Sequence, residues 1–138
     1  MNSMVVLMFA VVVVIGILLL VVISLTRRPT KALDQEKYRE KWMTISQSVT
    51  ESTGSMQLAV LHADKLLDQA MRERGIAGNN MGERLKNGKQ RFRNVNDVWT
   101  AHKLRNRIAH DDNVMITRRQ TELALSAFRA ALIDLGAL

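Results

Sequence analysis

Apolar residues follow two different patterns along this chain. Residues 4–25 are apolar except at Gly16 and Ser24, and a helix of that length, roughly 33 Å, is sufficient to cross a bilayer. From residue 31 onward, apolar positions recur every three or four residues, the period of amphipathic helices. The sequence therefore predicts an all-α protein. Residues 1–30 form an N-terminal transmembrane anchor with its flank, and residues 31–138 form one domain, a four- to five-helix bundle with a single core.

Five amphipathic segments divide the predicted bundle. They lie near residues 34–52, 55–74, 83–90, 94–110 and 118–135. Three glycines follow helical segments and are predicted to end them: Gly54, Gly75 and Gly136. Thr117 and Gln120, three residues apart, form a capping box that opens the last helix.

The flanks of the apolar run favour a retained anchor over a cleaved signal peptide. No basic residue precedes the run, and no Ala-x-Ala-like cleavage site precedes Thr26. Arg27, Arg28 and Lys31 follow it directly, and Pro29 is expected to end the helix. The positive-inside rule then places the N-terminus outside and the domain in the cytoplasm, with the anchor in the inner (cytoplasmic) membrane.

Composition excludes several classes of site. The chain has a net charge of +7, no cysteine and three histidines. Disulfide scaffolds and cysteine chemistry are excluded, and zinc sites of familiar spacing are not expected. We therefore expect neither metal nor cofactor. Aromatic residues make up 4% of the chain, too few for a stacking platform for single-stranded nucleic acid.

A basic segment lies between residues 72 and 93. Three interpretations stay open: an ordinary solvated face, a contact for the phosphate backbone of RNA, or attraction to anionic lipid across the short tether from the anchor. The candidate contact residues are Arg84, Lys86, Lys89, Arg91 and Arg93.

The helix near 94–110 places polar residues where a core is expected. On a helical wheel, His102, Arg105 and Asn106 point into the apolar arc, whereas Arg107 lies on the solvated side. A charge on an apolar face is costly unless it is paired or functional. Asp64 borders the apolar stripe of the helix before, so it is a candidate partner of Arg105, although an exposed pair with Asp68 is the simpler interpretation.

Two readings of these polar residues stay open. In one, they form a buried network that sets helix register, at a homodimer seam if two copies meet there. In the other, Arg105 holds a phosphodiester and His110 moves a proton, with His102 and Asp64 in support. Arg105 and His110 are about 140° apart on an ideal helix. Either the helix loosens near Ala109, or the pair converges only when a second copy faces it.

The residues from Val98 to His110 resemble the HEPN superfamily (higher eukaryotes and prokaryotes nucleotide-binding). Arg105 and His110 match its Arg-x(4–6)-His signature, with the usual polar residue, Asn106, after the arginine. The resemblance extends over the whole domain from about residue 33. It implies a helical bundle that forms a homodimer with two motifs facing each other.

Many HEPN members are metal-independent endoribonucleases of toxin–antitoxin, phage-defence and RNA-processing systems, whereas others only bind. By this resemblance Arg105 and His110 carry cleavage and Asn106 supports them. In some HEPN toxins the antitoxin modifies a tyrosine that lies two residues after the histidine. Asp112 occupies that position here, so this mode of control is not expected. We therefore expect a membrane-anchored ribonuclease acting on RNA, with no antitoxin identified. The alternative is a non-catalytic interaction or nucleotide-binding module.

One further pattern favours a homodimer. Small residues recur along the last helix at Ala124, Ala127 and Ala131. Such a face allows close approach of a second copy, so it is a candidate dimer surface.

Overall fold

The structure is a computed structural model that describes residues 2–26 and 32–138. These residues are all-helical, with no strand among them, as the sequence predicts. The predictions on Arg27, Arg28, Pro29 and Lys31 lie outside the described residues. The α-helices are α1 (Ser3–Thr26), α2 (Gln35–Gln47), α3 (Thr53–Glu73), α4 (Met81–Asn87), α5 (Val95–His110) and α6 (Arg118–Asp134), with a 3-10 turn at Lys89–Arg91 between α4 and α5.

Helix α1 differs from all the others in its exposure. Its apolar side chains are exposed, from Met4 to Leu25. Residues Ser3–Leu25 are long and apolar enough to cross a membrane, by length and composition. Signal sequences share these two properties.

The remaining helices form one bundle with two distinct ends. Gln35, at the start of α2, donates to the carbonyl of Gly136 (3.3 Å), and Arg74, after α3, donates to the carbonyl of Leu135 (2.7 Å). We call this end, where α2 begins and α3 and α6 end, the entry end. At the opposite end of the bundle, Gln57 of α3 donates to the carbonyl of Val114 (2.6 Å), in the turn between α5 and α6. We call this the turn end. Thus α3 and α6 run parallel, and α2 and α5 run antiparallel to them.

The core lies around α3, which packs against α2, α4, α5 and α6. The predicted apolar stripe of α3 is buried along its whole length, and Tyr38 of α2 and Phe128 of α6 are fully buried against the same core. The stripe consists of Ala59, Val60, Ala63, Leu66, Leu67, Ala70 and Met71.

Two glycines end helices as predicted. Gly75 and Gly136 have φ values of 71° and 73°, in the left-handed region that glycine adopts without steric cost. In each case the following amide donates back to a carbonyl five residues earlier, as from Ile76 to Met71 at 3.0 Å. This is the Schellman arrangement, which satisfies the last carbonyls of the helix.

Two predicted helix boundaries are wrong. Gly54 does not end α2, which stops at Gln47; it lies inside the first turn of α3. The reason is a cluster of hydroxyl groups, in which Ser52 caps α3 by accepting from the amide of Ser55 (3.2 Å). The short helix predicted near 83–90 instead ends at Asn87 and continues as the 3-10 turn.

Candidate functional site

A buried carboxylate on α3 receives the polar side chains of α5. Asp64 is 3% exposed, and its Oδ1 lies 2.7 Å from Nδ1 of His102, itself 7% exposed. The interpretation of Asp64 as part of an exposed pair with Asp68 is therefore wrong. Asp64 borders the stripe by which α3 packs on α5, so helix packing brings the carboxylate onto the imidazole.

Arg105 is the second cationic partner of Asp64. Its Nε lies 3.3 Å from Oδ2 of Asp64, although no directed hydrogen bond forms from this buried Nε to any described residue. Its Nη1 donates to Oδ1 of Asn106 at 3.0 Å. The arginine side chain keeps 34% of its surface exposed, so part of the guanidinium is free to bind a ligand.

Asn106 closes the set into a ring. Its Nδ2 lies 3.3 Å from Nε2 of His102. Because an ionised carboxylate can only accept, the Nδ1–H of His102 donates to Asp64, and Nε2 accepts from Asn106. We call Asp64, His102, Asn106 and Arg105 the polar ring. Each of the four side chains contacts the next, which holds the exposed part of Arg105 in one orientation.

The polar ring lies in an open cleft of about 780 Å³ between α3, α4 and α5. The ring of Trp99 meets that of His102 edge-on, with centroids 6.0 Å apart and planes at 70°. Lys65 and Lys103, both exposed, line the same cleft. Their charges add to that of Arg105, so the cleft favours an anionic ligand.

Arg84 is turned inward and does not join a surface patch. It is 7% exposed and binds Asp68 through Nε (2.7 Å) and Nη2 (3.1 Å), while Nη1 donates to the carbonyl of Gly78. A guanidinium that is buried and paired with Asp68 is not available on the surface for RNA or lipid, so Arg84 is a structural residue of the α3–α4 contact. The other four candidate contacts are exposed: Lys86, Lys89, Arg91 and Arg93.

His110 stands apart from the polar ring. It is the last residue of α5 and is exposed. The helix does not loosen near Ala109, because the amide of Asp111 still donates to the carbonyl of Arg107 at 3.0 Å. Within one copy, therefore, Arg105 and His110 are not brought together, and His110 is not among the described residues that line the cleft.

The small residues of α6 do not form an exposed face. Ala124, Ala127 and Ala131 are 4%, 9% and 1% exposed, because α6 packs them toward α3 and α5. They form the floor of a second groove, of about 500 Å³, between α5 and α6. In one copy these alanines therefore offer little exposed surface, and the dimer surface stays a prediction.

Sequence reasoning missed part of the cleft. Lys65, Trp99 and Lys103 line the cleft but are not among the site residues predicted from the sequence. One signal was available: His102 and Lys103 lie three and four residues after Trp99, and Asn106 lies four and three residues after them, a spacing that places side chains together on a helix. Among residues 2–26 and 32–138, no group of three or more His, Asp or Glu side chains is placed to hold a metal ion.

No protein-family model matches the chain, and neither a curated protein nor a solved structure matches it. The resemblance to the HEPN superfamily therefore rests on the residues of α5 and their surroundings.

Proposed function

We propose that the protein is a membrane-anchored, HEPN-type endoribonuclease that cleaves RNA in the cytoplasm without a metal ion. The observation that carries the proposal is the polar ring, which fixes a partly exposed arginine in a cationic cleft. An arginine held by Asp64 and Asn106 loses little side-chain entropy when it binds a phosphate. The anchor is α1, and the basic residues after it orient the domain toward the cytoplasm.

The cleavage step assigns one role to each residue. Arg105 binds the non-bridging oxygens of the scissile phosphate through its exposed nitrogens. His110 takes the proton of the ribose 2′-hydroxyl as that oxygen attacks phosphorus, forming the P–O2′ bond. The P–O5′ bond breaks, which leaves a 2′,3′-cyclic phosphate, and the departing O5′ takes a proton from water. Asn106 and, through His102, Asp64 are positioning residues for Arg105.

A second copy of the chain supplies the histidine that one copy does not bring to its own Arg105. Because α5 stays helical to His110, His110 is not among the described residues that line the cleft with Arg105 of the same copy. Two copies related by a two-fold axis, with their clefts facing, place His110 of each beside Arg105 of the other. We propose this homodimer as the active form. Its surface is the cleft face and not the alanines of α6.

Co-expression of two inactive chains tests this arrangement. Arg105→Ala and His110→Ala should each abolish RNA cleavage by the full-length protein in detergent micelles. When both chains are made together, half of randomly paired dimers are mixed, and each mixed dimer has one complete site, so about a quarter of the normal activity should return. No recovery would overturn the composite site.

Chelation tests the chemistry separately. Cleavage should survive EDTA, because only Arg105 and His110 are assigned to the reacting groups. Complete loss with EDTA, restored by a divalent metal ion, would contradict the mechanism.

The second candidate is a non-catalytic module that binds an anionic ligand. The observation in its favour is that the polar ring is complete within one copy and does not include His110. A chain that binds RNA through the cleft, with Arg105→Ala abolishing binding and His110→Ala changing nothing, would establish this alternative.

A further inference from the structure

The basic segment of residues 86–93 carries cations without acids. It contains Lys86, Lys89, Arg91 and Arg93 and no aspartate or glutamate, and all four basic side chains are exposed. Phe92 between them is 6% exposed, so it fixes the segment to the core. The 3-10 turn, closed by the amide of Arg91 on the carbonyl of Gly88 (2.9 Å), then presents the neighbouring cations outward.

Contacts place this segment at the entry end of the bundle. Arg93 binds Asp134, the last residue of α6, through its amide (2.9 Å) and its Nε (2.6 Å). Gly136, two residues later, accepts from Gln35 at the start of α2. The segment therefore lies beside the point where the chain from α1 enters the bundle.

The chain between α1 and α2 limits how far this end can be from α1. Nine residue steps join Thr26 to Gln35, and an extended chain covers at most about 30 Å in nine steps. When α1 spans a bilayer, the entry end therefore stays within about 30 Å of the lipid headgroups at the end of α1. Tethering of this kind keeps the local concentration of a weak binding surface high.

Four acidic residues lie at the entry end: Asp34, Glu36, Glu73 and Asp134. Asp34 caps α2 by accepting from the amide of Lys37 (3.1 Å), and Asp134 binds Arg93. Glu36 and Glu73 are exposed, but among the described residues no ion pair joins Lys89 or Arg91 to an acid. The described residues that line the cleft include none from 86–93, so the segment is separate from the proposed RNA site.

We infer that residues 86–93 dock the domain on anionic phospholipid headgroups, with the entry end against the bilayer. The surface takes phosphate groups of lipids, through Lys86, Lys89 and Arg91. Docking turns the opposite end, with His110, toward the cytoplasm. The inference depends on the anchor of the proposed function but not on cleavage.

Energy transfer between the domain and the bilayer tests the docking. The chain has no cysteine, so Gln90→Cys, at an exposed position, provides a single site for a donor dye. The full-length protein is placed in nanodiscs that carry an acceptor on the headgroups, made from phosphatidylcholine with or without phosphatidylglycerol. Transfer should rise in the anionic discs and fall back when salt is added. A dye attached after Asn113→Cys, at the turn end, should show no such rise.

Paired variants identify the residues responsible. Lys89→Gln with Arg91→Gln should remove the rise seen with phosphatidylglycerol, whereas Arg107→Gln with Arg119→Gln, the same charge change at exposed positions elsewhere, should leave it intact. Equal transfer in the two lipids, or a rise that survives the Lys89/Arg91 change, would overturn the inference. If the Lys89/Arg91 variant loses RNA affinity in lipid-free micelles but keeps the increase in energy transfer with phosphatidylglycerol, the segment contacts RNA and the inference is also overturned. Failure of the chain to enter nanodiscs would refute the anchor, and absence of ribonuclease activity alone would refute only the enzyme.

Discussion

The carboxylate of Asp64 bridges the imidazole of His102 and the guanidinium of Arg105, with one oxygen 2.7 Å from the first and the other 3.3 Å from the second. A buried carboxylate shared by two donors orients both of them. It also makes the domain dependent on Asp64 for stability, because removing it leaves the buried Nδ1–H of His102 without an acceptor and the guanidinium of Arg105 without its counter-charge.

Asp64→Ala should lower the free energy of unfolding by about 2–4 kcal/mol. The two tryptophans, Trp42 and Trp99, lie in α2 and α5, so their fluorescence follows unfolding by denaturant. Asp112→Ala is the control: Asp112 is exposed, and its loss should change stability by less than about 0.5 kcal/mol. Equal effects of the two substitutions would show that Asp64 does not hold the site together.

His110→Ala should separate activity from stability. Because His110 is exposed, the melting temperature should not change, while cleavage should be lost. His102→Ala should instead destabilise the domain by about 2 kcal/mol, since it leaves Asp64 with one partner fewer. A fall in melting temperature with His110→Ala would indicate a structural role.

Arg105→Ala and Arg107→Ala should differ, although both remove one positive charge from α5. Arg105 belongs to the polar ring, so its loss should abolish cleavage, or ligand binding in a non-catalytic module. Arg107 is exposed outside the ring, so its loss should at most weaken RNA affinity, with a shallower salt dependence. Equal damage from the two would mean that general basicity explains the site.

Tyr38 should make the domain sensitive to alkali. Burial, helped by the nearby charge of Glu73, raises the pKa of Tyr38 above its ordinary value. Unfolding lets the phenol ionise near its ordinary pKa of about 10. Stability is therefore fully present below pH about 10 and is lost as the pH rises above it. Tyr38 is the only tyrosine, so tyrosinate absorbance should appear together with unfolding.

Tyr38→Phe is the matched control for that pH dependence. The Tyr38 hydroxyl is buried without a hydrogen-bond partner among the described residues, so its removal should cost little at neutral pH and should reduce the alkaline loss. Titration of tyrosinate at its ordinary pKa in the folded protein would contradict the burial.

Two glycine substitutions should have opposite effects. At Gly78, φ is 154° and an added Cβ would lie 2.7 Å from the amide nitrogen of Arg84, so Gly78→Ala should cost about 2–3 kcal/mol. At Gly54, inside α3, an added Cβ meets nothing within 4 Å, and Gly54→Ala should stabilise the domain by about 0.5 kcal/mol. Denaturant unfolding of both variants measures the difference, and a neutral Gly78→Ala would contradict the close approach of Arg84.

Membrane orientation can be tested in cells. If Arg27, Arg28 and Lys31 hold the domain in the cytoplasm, protease added to intact spheroplasts should leave residues 32–138 uncut, and lysis should expose them. Digestion from the outside would reverse the proposed orientation and remove RNA as the substrate.

Local patterns predicted the helices well, because each depends on nearby residues. The capping box at Thr117 is present as predicted, and the stripe of α3 is buried. The same patterns predicted that His102, Arg105 and Asn106 face the apolar side of α5, and the structure shows His102 buried and the other two partly buried. The sequence offered Asp64 as a candidate partner of Arg105, and the structure brings the two together. It did not favour that pairing or show the contact with His102, since Asp64 is 38 residues from His102 and only the register of α3 against α5 brings them together.

Arg84 shows why the exposure of a side chain is harder to predict than the position of a helix. It lies in a run of basic residues, which favours a solvated surface, but Asp68 stands opposite it, 16 residues earlier. The turn at Gly78 brings the chain back so that the two meet. A pattern of charges does not contain that turn, and the same limitation led to the exposed interpretation of Asp64.

The edge-on contact between Trp99 and His102 gives the domain an intrinsic optical reporter. Trp99 is half-buried in the cleft, whereas the other tryptophan, Trp42 of α2, is buried in the core of the bundle. After Trp42→Phe, all remaining indole emission comes from a ring whose centroid is 6.0 Å from that of the imidazole. Any anion that enters the cleft changes the environment of that single fluorophore, so occupancy can be followed without a label.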